Sequence, residues 1–377
     1  MQLSRTLQYL LDKELRKMKT EEKKSPVRQD RDRHECTSWV VTPDLTGNNT
    51  MLLHKNRDAD AVKLAFYRVR PEKGFSWMAL SDAGHVSANM GLNEKGVAVA
   101  MNSGNPSDGT SENSGLYTPE MARVALEKSA TAAEAVAELR ALVEAKQYRH
   151  GKRGSIWFAA DAHEAWIAEN DARRFAAHRV AGGLGLRANG WHFPEMLPFS
   201  RLTPDILVKY GRREFAVRQF LFEGREDRVT VEKTAGASRI PVIPESPECC
   251  PVCGKRTNSA ATVAIDCEFP ESLSVMYTAF GPPRYTLYLP VPFLLKEIPE
   301  ALTSGRFSDS VFARKETGAE LPEEERDALE AKMNERHREA AGKAREALKQ
   351  GKPGAPELLS QAFAENWKEA CLYLDFK

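Results

Sequence analysis

Alternating apolar and polar positions predict β-strands over much of the first half of the chain. In Cys36–Val41, β-branched and aromatic residues follow directly after a thiol, which favours a strand. Thr46–Asn49 has the composition of a turn, and Thr50–Leu53 is predicted to be the returning strand. A hairpin of this length would bring Cys36 close to the Lys-Asn-Arg-Asp run at 55–58.

Further strand signals occur in two blocks. Asn93–Gly96 has turn composition, with Gly96 available for a positive φ, and leads into a strand over Val97–Met101. The polar run Asn102–Pro106 is predicted to end that strand. The other predicted strands are Lys63–Arg70, Val86–Leu92, Ser155–Ala160, Ala165–Glu169, Arg174–Val180, Leu184–Asn189, Ala261–Ile265, Leu273–Ala279 and Tyr285–Val291. Short helices and loops are expected between 195 and 250.

Helix signals lie between the strand blocks and at the end of the chain. Thr118 is a good N-cap with Pro119 at the first helical position, which predicts a helix to about Lys128. Thr131–Glu134 is a capping box before a second apolar face. The remaining predicted helices are Phe293–Leu302, Leu321–Gln350 and Pro356–Leu374. Two sheets packed face to face and covered by helices, an α+β sandwich, would accommodate this order.

Residues 1–35 differ in pattern from the rest. Apolar residues from Leu3 to Met18 recur at helical spacing, and the segment from Lys19 to His34 is almost wholly polar. We therefore expect an N-terminal helix and linker over 1–35, followed by a single domain over 36–377 with a helical C-terminal extension from about 294. The first segment is either a surface helix on a tether or a propeptide whose removal exposes Cys36.

Composition narrows the classes of partner. The 377 residues are 42% hydrophobic and 28% charged. The formal net charge of +1 gives no electrostatic reason to expect a nucleic-acid partner. Neither a membrane-spanning apolar run nor the core of a secretory signal is found. We expect a soluble, cytoplasmic protein whose long charged C-terminal helices allow a homo-oligomer.

Six cysteines are too few and too unevenly spaced for a disulfide framework. Cys250–Cys253 resembles half of a zinc ribbon, but no second pair with that spacing supplies the other two ligands. Cys267 and Cys371 could complete a site, although nothing in their spacing requires it. We expect neither a metal nor another cofactor.

The residues around Cys36 leave several interpretations open. A thiol beside a cation and a carboxylate is a plausible nucleophile, and a buried structural cysteine is the alternative. His54, His85 and His192 compete as partners in a cysteine–histidine dyad. Asn93 and Asn102 could both be turn residues, and Asp58 could end its strand in a surface salt bridge.

Taken in order, Cys36, Asn56–Asp58 and Gly91–Ala98 resemble the cysteine type of N-terminal-nucleophile hydrolases. This group includes choloylglycine hydrolases, acyl-coenzyme A:6-aminopenicillanic acid acyltransferases and related dipeptidases. The resemblance is clearest over Cys36–Asn105 and extends more faintly to the segment from Lys255 to Pro283. It implies a four-layer αββα sandwich with two mainly antiparallel sheets. It also implies that Cys36 becomes the first residue after cleavage.

The resemblance assigns roles residue by residue. Cys36 would be the nucleophile, with its own α-amine as the base, because the two groups titrate within about one unit of each other. Asp58 matches the carboxylate that holds the amine. Lys55 falls where choloylglycine hydrolases usually have arginine, so the charge is kept and the bidentate geometry is lost. Arg57 is a possible substitute for that geometry.

Three later residues complete the implied site. Asn102 matches the asparagine of the oxyanion hole, and Asn189 matches a second asparagine near the scissile bond. The surroundings of Asn189, Gly190–His192, depart from the usual pattern. Arg256 corresponds to the late arginine of the family.

The resemblance implies an amidohydrolase that cleaves a linear amide of a small molecule or peptide through a thioester. Acyl transfer to an amine is the near alternative. Glu35 stands where self-cleaving relatives often have a small residue, which leaves open the alternative that Cys36 is never freed. In that case the chain would be an inactive binding protein on the same fold.

Overall fold

The computed structural model describes residues 36–60, 62–109, 115–223, 228–241 and 251–376. The helix and linker predicted for residues 1–35 lie outside these ranges, as do Cys249 and Cys250. All of the described residues belong to one compact unit.

The elements are numbered in chain order. The strands are β1 (Thr37–Val41), β2 (Thr50–Asp58), β3 (Leu64–Val69), β4 (Trp77–Asp82), β5 (Met90–Asn93), β6 (Ala98–Pro106), β7 (Leu116–Tyr117), β8 (Tyr148–Arg149), β9 (Arg153–Ala160), β10 (Ala165–Asn170), β11 (Phe175–Arg179), β12 (Leu184–Arg187), β13 (Thr257–Asp266), β14 (Val275–Ala279) and β15 (Tyr288–Pro292). The helices are α1 (Pro43–Thr46), α2 (Thr118–Lys128), α3 (Ala132–Glu144), α4 (Pro204–Phe222), α5 (Val231–Ser238), α6 (Pro270–Leu273), α7 (Glu300–Thr303), α8 (Arg306–Glu316), α9 (Glu323–Lys349) and α10 (Ala355–Tyr373).

Within the described residues, most strands form two antiparallel sheets. Sheet I has the order β12-β1-β2-β13-β14-β15, and sheet II has the order β11-β10-β9-β6-β5-β4-β3. The short strands β7 and β8 form a parallel pair of their own. The strands of sheet I that carry the predicted site, β1 and β2, therefore each pair with a neighbour on both sides.

The sheets pack face to face around a shared apolar core. Val40 and Leu53 of sheet I belong to the same buried cluster as Phe66, Ala100 and Phe158 of sheet II. Burial of these side chains is the main favourable contribution to the packing of the two sheets.

The outer face of each sheet is covered by helices. Leu126 of α2 and Leu139 of α3 pack against the outer side of sheet II. Val217 of α4 and Ala235 of α5 pack on the outer side of sheet I, together with Trp39 of β1. The layer order is helix, sheet, sheet, helix, and it confirms the predicted αββα sandwich. The described helices include none that is both long and apolar enough to cross a membrane.

Local signals placed many elements correctly. The β1–β2 hairpin is present, with the short helix α1 before its turn. Gly96 has a φ of 78°, as its turn position predicts. Thr131 caps α3 by accepting a hydrogen bond from the backbone N–H of Glu134. The two long C-terminal helices also lie where the charged and apolar periodicity predicts them.

Other predictions were wrong where long-range contacts decide the structure. Asn102–Pro106 does not end β6, which continues to Pro106 because β9 pairs with it. Strand β4 was missed. Helix α4 was missed as well, because exposed Phe215 interrupts the polar side of its pattern. The helix predicted over Phe293–Leu302 begins only at Glu300, after Pro299, whose ring disfavours helix in the preceding residue.

Candidate active site

The β1–β2 pairing places the predicted nucleophile next to a lysine. Ser38 lies directly opposite Lys55 in the antiparallel register. Val40 and Leu53 on these strands face the core between the sheets. Because side chains alternate along a strand, Ser38 and Lys55 face that interior as well. Cys36 immediately precedes β1 on the same side as Ser38 and is 5% exposed.

Lys55 is the centre of this group. Its Nζ donates hydrogen bonds to the backbone carbonyl of Met101 and, over 3.0 Å, to Oδ1 of Asn102. The thiol of Cys36, on the same face of the hairpin, is close enough to influence the pKa of this amine. Burial lowers the pKa of Lys55, and the charge interaction with Cys36 raises it. The structure thus adds Asn102 to Cys36 and Lys55, which the predicted hairpin had already brought together.

Both the oxygen and the nitrogen of the Asn102 side-chain amide form hydrogen bonds with neighbouring residues. Its Oδ1 accepts from Lys55 and, over 2.7 Å, from the hydroxyl of Ser38. Its Nδ2 donates to the carbonyls of Arg187 and Ala188, at 3.2 and 2.9 Å. The interpretation of Asn102 as a turn residue is wrong, because it lies within β6. An oxyanion role would require its N–H groups to exchange these carbonyls for a substrate oxygen, and that role stays a prediction.

Asp58 lies at the end of β2 in a buried ion pair. Its carboxylate accepts a 2.5 Å hydrogen bond from the hydroxyl of Thr257 and lies 3.6 Å from Nη1 of Arg213. The side chains of Asp58 and Arg213 are 3% and 1% exposed. The alternative of a surface salt bridge is therefore wrong. Asp58 is close enough to Lys55 to raise the pKa of that amine.

Asn189 follows β12 in a buried segment beside β6. Its Nδ2 donates a 2.7 Å hydrogen bond to the carbonyl of Ser103. Its Oδ1 is buried and has no hydrogen-bond partner among the described residues. A buried acceptor without a partner is costly, and a substrate N–H group would satisfy it. A substrate-binding role for Asn189 stays a prediction.

A buried carboxylate fixes the backbone that follows Asn189. Glu169 of β10 accepts hydrogen bonds from the backbone N–H groups of His192 and Phe193, at 2.8 and 2.9 Å. It also accepts a 3.0 Å bond from Nε of Arg187. These contacts hold both ends of the segment that supplies the carbonyls bound by Asn102.

The two arginines predicted to lie in the site, Arg57 and Arg256, form ion pairs with carboxylates that were not predicted to belong to it. Arg57 forms a bidentate pair with Asp82 of sheet II, at 2.5 and 3.0 Å. Arg256 contacts the exposed carboxylate of Asp60 over 2.9 Å. The bidentate geometry that Lys55 lacks is therefore used by Arg57 to connect the two sheets.

The competing histidines occupy other environments. His54 lies on the opposite face of β2 from Lys55, where it stacks on Trp39 and bonds Thr262 and Asn56, each over 2.8 Å. Burial lowers its pKa from 6.5 to about 3. His85 lies in an exposed loop.

His192 faces a different acid. Its Nε2 lies 3.3 Å from Glu214 of α4, and its side chain is 42% exposed. Glu214 also accepts a 2.8 Å hydrogen bond from the backbone N–H of Ala188. Through Glu214, His192 therefore helps to hold the segment that follows β12 in place.

Sequence reasoning missed Ser38, Arg213 and Glu169. Ser38 could have been found from strand alternation, because it lies two residues after Cys36. Arg213 shares helical spacing with the buried residues Tyr210 and Val217, and an arginine on such a face is a sign of a buried partner. The sequence has no comparable signal for Glu169.

The Cys250–Cys253 motif, which resembles half of a zinc ribbon, lies only partly within the described residues. Cys253 is buried, and burial raises the pKa of its thiol to about 12. The described residues contain no group of three or more histidines, cysteines or acids suited to a metal. Cys250, the other half of the motif, lies outside the described residues.

Comparisons with known proteins give one family match and several structural likenesses. Residues 45–180 match the family model of acyl-coenzyme A:6-aminopenicillanic acid acyl-transferase. Two mutants of the conjugated bile acid hydrolase from Clostridium perfringens superpose with TM-scores of 0.43 and 0.42. Each is 10% identical to this chain and covers 70% of it and 91% of its own length.

An orthologue of N-acylethanolamine-hydrolyzing acid amidase from Caenorhabditis elegans superposes with a TM-score of 0.39 at 13% identity. It covers 62% of this chain and 94% of its own length. At such low identities and TM-scores, these likenesses carry no conclusion about activity. The family match includes Lys55, Asp58 and Asn102. The chain is therefore similar, over residues 45–180, to the acyl-coenzyme A:6-aminopenicillanic acid acyl-transferase family, and the resemblance predicted from its motifs is confirmed.

Proposed function

We propose that the chain is a cysteine-nucleophile amidohydrolase that cleaves a linear C–N amide bond and is activated by cleavage before Cys36. The observation that carries this proposal is the burial of the Cys36 thiol beside Lys55 at the start of the β1–β2 hairpin, with Asn102 bonded to the same amine. A thiol in contact with a nitrogen base is the arrangement that nucleophilic catalysis by cysteine requires.

Cleavage before Cys36 would convert its backbone nitrogen into an α-amine. A free α-amine titrates near 7.7–8.0 and a thiol near 8.5, so the amine can take the thiol proton at neutral pH. The thiolate then attacks the amide carbonyl, and the C–N bond breaks as the leaving amine takes up that proton. Water attacks the resulting thioester, which releases a carboxylic acid and restores the thiol.

The remaining residues would position charge around this reaction. Asp58, which is held by Thr257 and Arg213, would bind the α-ammonium form of Cys36. Asn102 and Asn189 offer amide groups for the oxyanion and for a substrate N–H. Electrostatic stabilisation by such fixed dipoles is commonly the largest contribution to amide cleavage.

Acyl transfer to an amine is the second candidate. The match to an acyl-transferase family over residues 45–180 favours it. Hydrolysis and transfer share the thioester and differ only in whether water or an amine resolves it. Adding increasing concentrations of a simple primary amine to a working assay separates the two, because a transferase forms a new amide at the expense of the free acid.

The test begins with intact mass and N-terminal sequence of the purified full chain beside a Cys36→Ala variant. We expect the wild type to begin at Cys36 and the variant to retain residues 1–35. Both proteins are then assayed against a panel of N-acyl amino acids and other linear amides. Cys36→Ala should lose turnover while its circular dichroism spectrum and melting temperature stay unchanged.

Cys371→Ala is the matched control, because Cys371 is a half-buried thiol on α10, far along the chain from the site. It should retain wild-type turnover. Turnover that survives in Cys36→Ala contradicts the proposal. Binding of an amide without turnover in the wild type would instead favour an inactive binding protein on this fold.

A further inference from the structure

Lys55 has unusual surroundings for a buried cation. Its side chain is 3% exposed, and its amine contacts the carbonyl of Met101, Oδ1 of Asn102 and the thiol of Cys36. Among the described residues, Lys55 forms no ion pair with a carboxylate. A buried charge without a counter-charge is unfavourable, so this environment favours exchange of a proton with a neighbour.

The hydrogen bonds of Lys55 suit two protonation states equally well. A neutral amine has two N–H donors and one lone pair, and an ammonium group has three N–H donors. Met101 and Asn102 accept two of these donors in either state. The third position meets Cys36, where a lone pair would accept the S–H proton and an N–H group would donate to a thiolate. Moving the proton from sulfur to nitrogen therefore leaves every contact satisfied.

We propose that Cys36 and Lys55 share a proton in the uncleaved chain, and that Lys55 makes Cys36 a nucleophile before its α-amine exists. In the uncleaved sequence, the nitrogen of Cys36 is an amide bonded to Glu35 and cannot serve as a base. The S–H bond breaks and an N–H bond forms at Nζ, so a thiol and an amine become a thiolate and an ammonium ion. No other reactant is needed.

The charged neighbours of the pair act in both directions. Burial lowers the pKa of Lys55, the charge of Cys36 raises it, Arg57 lowers it and Asp58 raises it. Ser38 contributes no charge of its own. A lysine whose pKa is lowered by burial can lose and regain its proton, whereas an arginine stays protonated.

This inference rests on the proposed function for its purpose, because a reactive Cys36 thiol is useful only if it attacks a carbonyl. Its chemistry can be measured without any substrate. The measurement is the rate at which iodoacetamide alkylates Cys36 in the full chain between pH 5.5 and 9.5. Peptide mass spectrometry quantifies the product, and peptides that still join Glu35 to Cys36 report the uncleaved chain alone.

Wild type is compared with Lys55→Met, Lys55→Arg and the control Lys63→Met. Lys63 is an exposed residue paired with Asp309 and has no part in the site. We expect Lys55→Met to alkylate at least about tenfold more slowly at pH 7, which corresponds to a shift of one pKa unit or more. Lys63→Met should match the wild type. Melting temperatures establish that each variant is folded.

The shape of the pH profile separates proton sharing from simple attraction by a positive charge. Two coupled groups lose their protons in two macroscopic steps, so the wild type should show two inflections. Lys55→Arg keeps the charge but has one titrating group, and it should show one inflection. A wild-type profile with one inflection that coincides with Lys55→Arg overturns the proposal, as does a Lys55→Met profile equal to the wild type.

Complete cleavage during expression would remove the uncleaved wild-type form, and the variants then decide the question. Lys55→Met that keeps residues 1–35 supports the proposal, and Lys55→Met that is cleaved as fully as the wild type overturns it. Failure of the proposed function is distinguishable, because an inactive wild type with two alkylation steps retains the shared proton without amide turnover.

Discussion

Two buried cations in this molecule are stabilised in opposite ways. Arg239, which follows α5, forms a bidentate ion pair with Glu330 of α9, at 2.9 and 2.5 Å, and donates to the carbonyl of Pro283. Glu330 also accepts from the backbone N–H of Tyr288. Lys55 is buried to a similar degree, yet its partners are a carbonyl, an amide oxygen and a thiol.

The pKa of each cation follows from its partners. Burial disfavours the charge of Arg239, but the carboxylate of Glu330 outweighs burial and raises the pKa of the guanidinium. Burial lowers the pKa of Lys55. A paired buried charge joins structural elements, whereas an amine without a carboxylate partner can exchange a proton. Arg239 therefore joins elements of the fold, and the surroundings of Lys55 are those that the proposed proton exchange requires.

The strongest test of this comparison is to break the ion pair. Arg239→Met should lower the free energy of unfolding by about 3–5 kcal/mol, because it leaves the buried carboxylate of Glu330 without its counter-charge. Urea denaturation at pH 7 measures the change. The double variant Arg239→Met/Glu330→Leu is the control and should recover most of the loss. A single variant with wild-type stability would show that the pair does not hold these elements together.

Both regions also contain a buried neutral histidine. Burial lowers the pKa of His54, behind Lys55, from 6.5 to about 3, and that of His337 on α9 to about 4. Their contribution to stability is fully present above pH 6.5 and is lost as the pH falls toward these values. Each histidine should remove up to about 1.4 kcal/mol per pH unit below 6.5, because the unfolded chain takes up the proton.

Denaturant titrations at pH 7, 6 and 5 measure that slope. His337→Leu should reduce the slope by about half, since it removes one of the two titrating groups. Exposed His85→Leu is the matched control and should leave it unchanged. Equal slopes in the wild type and His337→Leu would contradict the assignment.

Lys55 itself should produce a weaker dependence at alkaline pH. Its folded-state pKa lies below the usual 10.5, so its contribution to stability is present above 10.5 and is lost as the pH falls through the folded value. The stability of the wild type relative to Lys55→Met should therefore fall as the pH is lowered from 10.5, by at most about 1.4 kcal/mol per unit. Repeating both measurements in a Cys36→Ala background removes titration of the thiol. A difference that is independent of pH would contradict the neutral-amine state.

The smallest effect is expected where a cation is exposed. Lys95 and Glu271 form an ion pair of 2.7 Å with both side chains in solvent. Lys95→Met should change the free energy of unfolding by less than about 1 kcal/mol, because water screens exposed pairs. Denaturation in low and high salt is the measurement. A loss comparable to that of Arg239→Met would remove the distinction between buried and exposed pairs.

Much of the architecture could be predicted from local patterns. Strand alternation and turn composition located β1 and β2 and with them the proximity of Cys36 to Lys55. Helix caps located α2 and α3. The patterns failed at β6 and α4, because pairing with β9 and the covering of sheet I are properties of distant segments.

The sequence by itself determined which residue types are available and on which strand face each would lie. Alternation along β1 and β2 is a consequence of backbone geometry, and it puts Cys36, Ser38 and Lys55 on one side. Only the tertiary structure decided that Asn102 meets Lys55, that Arg213 meets Asp58 and that Lys55 is buried with no carboxylate partner in the described part of the chain. These contacts join residues far apart in the chain, and burial, which sets the charge of each group, exists only after the sheets have packed.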